Sequence, residues 1–114
     1  MQYAAYIRTS HTGTTGQRDL NIQLAAITTW IAAQDGILAE VFTDQASAGR
    51  SAQRPALDQL KADAGQRQFG ALVIYKLDRL ARNQTELLAI RSLLSEDYRI
   101  RLFSVMEQDE LDTR

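Results

Sequence analysis

Three groups of residues in this sequence could do chemistry together. Tyr6, Arg8 and Ser10 recur at every second position, so in an extended strand their side chains share one face and a hydroxyl stands beside a guanidinium. The segment Lys76-Leu77-Asp78-Arg79-Leu80-Ala81-Arg82 sets Arg79 and Arg82 three apart, on one face if it is helical, with Asp78 placed to orient or cap them. Arg54, just before Pro55, is a further cation. An activated serine hydroxyl is a nucleophile, and paired guanidiniums match the oxygens of a phosphate. Each group also has a plain reading: a serine and an arginine in a turn, a solvated charged face with weak ion pairs, a surface arginine ahead of a helix. His11, the only histidine, follows Ser10 directly. Sequence neighbours diverge in an extended segment, so it reads as a loop residue rather than the base of a Ser-His pair.

The elements that must hold these residues follow from the apolar patterning. Runs rich in β-branched or aromatic residues at Tyr3–Ile7, Leu38–Thr43, Ala71–Tyr75 and Ile100–Met106 predict strands. Leu20, Leu24, Ile27 and Ile31 share one face of a helix expected over Asp19–Gln34, with Asp19 as N-cap and Gly36 just past the end. Pro55 opens a second helix, lined on one side by Leu57, Leu60 and Ala64 and followed by Gly65. A third is expected from about Thr85 to Glu96, with Leu87, Ile90 and Leu94 inward. The glycine- and threonine-rich stretch His11–Gly16 reads as a mobile surface loop. Alternating strands and helices predict an α/β fold of three layers, a mostly parallel central sheet of four or more strands with helices on both faces. Ligands of open α/β sheets bind outside the carboxyl ends of the strands. Arg8 and Ser10 follow the first strand, Asp44 the second, and Asp78, Arg79 and Arg82 the third, so they are expected to converge.

With 114 residues the chain has the size of one compact domain. A hydrophobic fraction of 45%, a charged fraction of 24% and a single proline exclude a disordered or linker-rich chain. The absence of cysteine excludes a disulfide framework and a thiolate metal site. The start, Met1–Tyr6, lacks the features of a signal peptide and no stretch approaches a membrane span, so a soluble cytoplasmic protein with no membrane partner is expected. The net charge of −1 is unlike that of proteins that grip the phosphate backbone, which carry a basic excess. Strong DNA affinity is therefore expected to lie elsewhere, in a larger protein of which this chain is a part.

Taken together, Tyr6-x-Arg8-x-Ser10, Phe42-Thr43-Asp44-x-Ala46-Ser47, Arg54 and Lys76-Leu77-Asp78-Arg79-Leu80-x-Arg82 resemble, in order and spacing, the N-terminal catalytic domain of the serine site-specific recombinases of the resolvase/invertase family. The resemblance covers nearly the whole chain. It implies a resolvase-like fold and the cleavage and rejoining of DNA. Ser10 attacks a phosphodiester, forms a phosphoserine link to the 5′ end and frees a 3′ hydroxyl. Bond energy is kept, so neither ATP nor a metal nor another cofactor is implied. By the same resemblance Arg8, Arg54, Arg79 and Arg82 bind the scissile phosphate and stabilise transition-state charge, Asp78 orients them or takes part in proton transfer, and Asp44 has a supporting role. Tyr6, Gln17 and Gln23 are similar to polar residues flanking the family's site, although the loop before Gln17 is longer here than in the small resolvases.

The family acts on DNA as dimers and tetramers, and a long dimerisation helix and a DNA-binding region follow its catalytic domain. This chain stops at Thr113-Arg114, so the resemblance implies a domain spanning 1–114, truncated before both and inactive alone. Two alternatives stand beside it. A receiver-like signalling module, also a small parallel α/β domain, needs a pair of acids by the first strand, where this chain has Arg8 and Ser10. A binding-only relative of the recombinases has no evident need of the serine with its arginines. A nucleotide hydrolase needs a G-x-x-x-x-G-K-[ST] phosphate loop, which Gly13 and Gly16 do not form.

Overall fold

A computed structural model describes residues 1–45, 54–66 and 68–107. The Ala46-Ser47 part of the second motif and the chain end at Thr113-Arg114 lie outside the described residues. Gln2–Thr9 form β1, and Tyr3–Ile7 within it are buried on both faces. That is why apolar residues run there without alternation, as in strands covered by helices on either side. β2 (Ile37–Gln45) alternates instead, because it lies at an edge of the sheet. β3 (Ala71–Ile74) is wholly buried, and β4 (Arg101–Ser104) forms the other edge. Every pairing is parallel, in the order β2-β1-β3-β4.

Right-handed crossovers then dictate the layers. The step from β1 to β2 crosses the sheet one way, whereas the steps to β3 and β4 go the other. So α1 (Gly13–Ala33) must cover one face, and α2 (Pro55–Gly65) and α3 (Gln84–Ser92) the opposite one. The packing agrees. Leu20, Ile27 and Ile31 of α1 meet Tyr3, Ala5 and Val73, and Trp30 lies 5.0 Å from the Phe103 ring on that side. Leu57 and Leu60 of α2, with Leu87 and Ile90 of α3, meet Ala4, Tyr6 and Leu72 on the other. Each such aliphatic side chain, fully buried, stabilises by about 1.5–3 kcal/mol. The three-layer parallel α/β fold expected from the sequence is the one observed, and the direction of travel reverses between β1 and β3. This topological switch point is where such folds open a crevice. Among the described residues no helix is long and apolar enough to cross a membrane.

The structure corrects the start of α1. The helix begins at Gly13 with Thr12 as its N-cap, so Asp19 lies inside it and is not the cap, and Gly13–Gly16 are helical rather than loop. Gly-Thr-Thr-Gly has poor helix propensity, but a tertiary contact overrides it. A Cβ on Gly16 would lie 2.2 Å from the His11 carbonyl oxygen and 2.4 Å from Gln45 Nε2. Only glycine lets this turn press against the chain just after Ser10. Gly16→Ala is therefore expected to destabilise the domain. The overpacking cost, about 1–3 kcal/mol, falls at its upper end because backbone must shift, and outweighs the roughly 1 kcal/mol alanine gains in a helix interior. Thermal unfolding should show Tm lower by roughly 4 °C or more; an unchanged or higher Tm contradicts the close contact.

At the far end of α1, Asp35 takes the left-handed conformation with φ 56°, and the Gly36 N–H donates to Ile31 O at 3.0 Å, which closes the helix in a Schellman motif. Gly36 is thus one residue beyond the left-handed position, and its missing Cβ leaves room for the Tyr3 ring. α3 starts at Gln84, capped by Asn83 rather than opening at Thr85, and runs on into a π-helical turn, Leu93–Asp97.

Candidate active site

β1 is longer than β3 at the carboxyl end. Tyr6 pairs with Ile74, the last residue of β3, so Arg8 projects into the space crossed by the chain leaving β3. That chain makes a single 3₁₀ turn, Leu77–Arg79. The Arg8 guanidinium donates from Nη2 to Asp78 O at 2.7 Å and from Nε to Arg79 O at 3.2 Å. The turn is held from the far side by Glu107, whose Oε1 accepts from the Leu77 N–H at 3.0 Å and from Ser104 Oγ at 2.6 Å. Arg8 is fixed from behind by Gln23, fully buried on α1. The Gln23 amide accepts from the Arg8 N–H at 3.3 Å and donates to Arg8 O at 2.9 Å.

A second tier joins β1, β2 and α2. Asp44 ends up buried beside the N-terminus of α2, where Oδ1 accepts from the Ala56 N–H at 2.8 Å and Oδ2 from the Leu57 N–H at 3.0 Å. It is a remote cap, since the residue at the N-cap position, Arg54, makes no side-chain capping bond. The Tyr6 hydroxyl donates to Asp44 Oδ2 at 2.8 Å. Burial, together with that bond and the Asp44 charge, pushes the Tyr6 phenol far up, so Tyr6 serves as a donor and not as a base. Arg54, with only 7% of its side chain exposed, donates from Nη1 to Leu80 O at 3.0 Å and pairs through Nη2 with Glu86. Glu86 also accepts from the Arg82 N–H at 2.8 Å.

Arg79 points toward α1, where its Nη2 lies 3.6 Å from Asp19 Oδ2. Burial lowers the Arg8 pKa, and the charges of Arg54, Arg79 and Arg82 lower it further. A guanidinium remains charged at neutral pH in spite of such a shift. The cluster is a partly compensated group of cations beyond the carboxyl ends of β1 and β3, with Arg54 and Arg82 beside Glu86 and Arg79 beside Asp19 and Asp78. Ser10 follows directly after β1 and is exposed; among the described residues its hydroxyl has no hydrogen-bond partner.

The family model described as "Resolvase, N terminal domain" matches residues 3–114. The chain belongs to this resolvase family. Three solved structures resemble the resolvase domain closely. The N-terminal catalytic domain of TP901-1 integrase is 25% identical with a TM-score of 0.79, over 95% of this chain and 79% of that one. The C-terminal catalytic domain of ISC1926 TnpA, an IS607-like serine recombinase, is 26% identical with a TM-score of 0.78, over 92% and 67%. A resolvase family site-specific recombinase from Streptococcus pneumoniae shares the fold at 21% identity, with a TM-score of 0.84 over 95% and 74%. A comparison with curated proteins finds no match.

Within this resolvase domain the residues singled out from sequence have separate parts. Arg8, Arg79, Gln23 and the Asp78 backbone form one bonded group, and Arg54 and Arg82 join through Glu86. The Asp78 carboxylate is 71% exposed and 3.8 Å from Arg79 Nε, so its carbonyl, not its side chain, holds Arg8. Gln17 lies on an exposed face of α1, bonded to Asn21 at 3.0 Å, outside these groups. His11 is exposed, and among the described residues no hydrogen bond joins its ring to Ser10. Sequence reasoning missed Asp19 and Glu86. Glu86 left a signal, since it stands four residues after Arg82, a spacing at which helical side chains meet. Asp19 left none, because a helix start was assigned to it.

Both carboxylates are held below their usual range. Burial acts upward on each, but the polar side chains of Thr9 and Gln23 and the Arg79 charge outweigh it at Asp19. At Glu86 the Arg82 N–H and Arg54 do so. A carboxyl group whose pKa is lower folded than unfolded stabilises the fold above the unfolded value, about 4, and loses that contribution as pH falls through the folded value. Stability should therefore decline below about pH 4–5, and the paired change Asp19→Asn with Glu86→Gln should make the decline shallower. Urea midpoints measured against pH test this, and an equally steep decline in the variant contradicts it.

Proposed function

We propose that this resolvase domain cuts and rejoins DNA strands in site-specific recombination, with Ser10 as nucleophile. The Ser10 oxygen attacks a backbone phosphorus, the bond to the 3′ oxygen breaks, and a 5′-phosphoserine link and a free 3′ hydroxyl result. One proton leaves the serine and one is taken up by the 3′ oxygen, and the reverse reaction rejoins the strand. The observation that carries this reading is the setting of Arg8, two residues before Ser10, bonded to the carbonyls of Asp78 and Arg79 on the turn that leads to Arg82, with Arg54 bonded to Leu80 O on the same stretch. A cleft presenting fixed cations stabilises a phosphoryl transition state without reorganising. Arg8, Arg79 and Arg82 carry that charge to the phosphate, Arg54 supports it from a buried position, and Gln23, Tyr6 and Asp44 hold the frame.

A net charge of −1 supports a division of labour in which the domain supplies chemistry and further segments of the same protein supply DNA affinity and assembly into dimers and tetramers. The setting is cytoplasmic, where chromosomal or plasmid DNA is at hand. A receiver-like role is disfavoured by the family match and by a first strand that delivers Arg8 and Ser10 in place of a pair of acids. The test incubates the protein that carries this chain with end-labelled duplexes selected by binding from a randomised pool. A denaturant-resistant protein–DNA adduct is expected; DNA binding with no adduct would overturn the reading.

A further inference from the structure

On the strand-transfer reading just given, we propose that Glu86 is a positioning residue for the arginine cluster, acting through Arg54 and Arg82 and never on the DNA itself. Glu86 sits in the first turn of α3, and its own N–H donates to the Asn83 side chain at 2.8 Å. Its Oε1 reaches back to the Arg82 N–H at 2.8 Å. Together these two bonds make a variant of the capping box, which a helix start alone explains. The other oxygen is not explained in that way. Oε2 is committed to Nη2 of Arg54, a buried residue on a different element, whose Nη1 holds Leu80 O at 3.0 Å. One carboxylate therefore ties the start of α2 to the turn Leu80–Arg82 and to the start of α3.

Two consequences follow for the site. Both terminal nitrogens of Arg54 are occupied and its charge is matched by Glu86, so Arg54 braces the turn through Leu80 rather than offering a free fork to a phosphate. Arg82 has a backbone pinned by Glu86, yet its side chain is 52% exposed and its Nε lies 4.0 Å from Glu86 Oε1, at the limit of ion pairing. It stays free to turn to a phosphate from a fixed root. A carboxylate that were only a cap would leave the cluster indifferent to its charge or length.

Glu86→Gln removes the charge while leaving an acceptor for the Arg82 N–H, and Glu86→Asp keeps the charge but is one methylene too short to hold both arginine groups. The readouts are DNA affinity by mobility shift and single-turnover adduct formation at saturating duplex, divided by the folded fraction. Misplacement by an ångström costs up to about 10²-fold in rate, so both variants should slow adduct formation about 10- to 100-fold while binding DNA as tightly as wild type or more so. If Glu86→Gln does not fold, Glu86→Asp decides alone. A rate per folded molecule within about twofold of wild type overturns the proposal, as does a rate loss matched by weaker binding. A wild type that binds duplex but forms no Ser10-dependent adduct overturns the strand-transfer reading instead, and the role of Glu86 with it.

Discussion

Ser10→Ala should abolish covalent DNA attachment and leave the rest of the molecule as it was. The substitution deletes the attacking oxygen, and a covalent mechanism has no substitute for its nucleophile. What it does not delete matters equally. Ser10 is exposed and, among the described residues, its hydroxyl makes no hydrogen bond, so the fold loses nothing it uses. Stability should stay within about 0.5 kcal/mol of wild type, as for surface substitutions away from special features. DNA affinity should be retained, because the arginines are untouched. Loss of adduct with unchanged Tm and unchanged mobility shift is the expected pattern. An adduct formed by Ser10→Ala at the wild-type rate would remove Ser10 from the chemistry.

Arg8 should have the next largest effect, and for two reasons that can be separated. Arg8→Ala withdraws a preorganised cation, and one such donor is commonly worth roughly 10²–10³-fold in rate. It also leaves the carbonyls of Asp78 and Arg79 without the donors that now hold them at 2.7 and 3.2 Å, freeing the turn that carries Arg79. Arg8→Lys distinguishes these losses. Lysine restores a charge but not a planar fork able to serve two carbonyls, so it should recover DNA affinity better than rate. Single-turnover adduct formation measures both variants, and an Arg8→Ala rate within about threefold of wild type would contradict the role given to this residue.

How much of this was legible in the sequence depends on which physical signal each feature leaves. The buried strands announced themselves, because Tyr3–Ile7 and Ala71–Ile74 must be apolar on both faces. The parallel order followed from helices between them, and the convergence of strand ends followed from the order. That Arg8 and Ser10 stand at the end of one strand and Arg79 on the turn after another was legible from residue type and spacing. The start of α1 was not, because a close contact between Gly16 and the His11 carbonyl overrides a sequence that locally disfavours helix. The hold on Arg8 was equally hidden, since it runs through the backbone carbonyls of Asp78 and Arg79, which any residue would offer. Asp44 was found as an acid near the site, but its work as a remote cap for α2 depends on a distance in space between β2 and Ala56 that no spacing encodes. Asp78 was singled out for its carboxylate, which is largely exposed but stands 3.8 Å from Arg79 Nε, while its carbonyl makes the closer bond to Arg8.

The measurement that bears most directly on Ser10 is chemical. The covalent complex between the protein and duplexes selected from a randomised pool can be trapped with denaturant and digested with protease and nuclease, and the residue that keeps a nucleotide located by mass spectrometry. A serine recombinase built as described here yields one modified peptide, with the 5′ phosphate of the broken strand joined to the oxygen of Ser10. A nucleotide on Tyr6 or on any other residue, or a strand joined through its 3′ end, would contradict it.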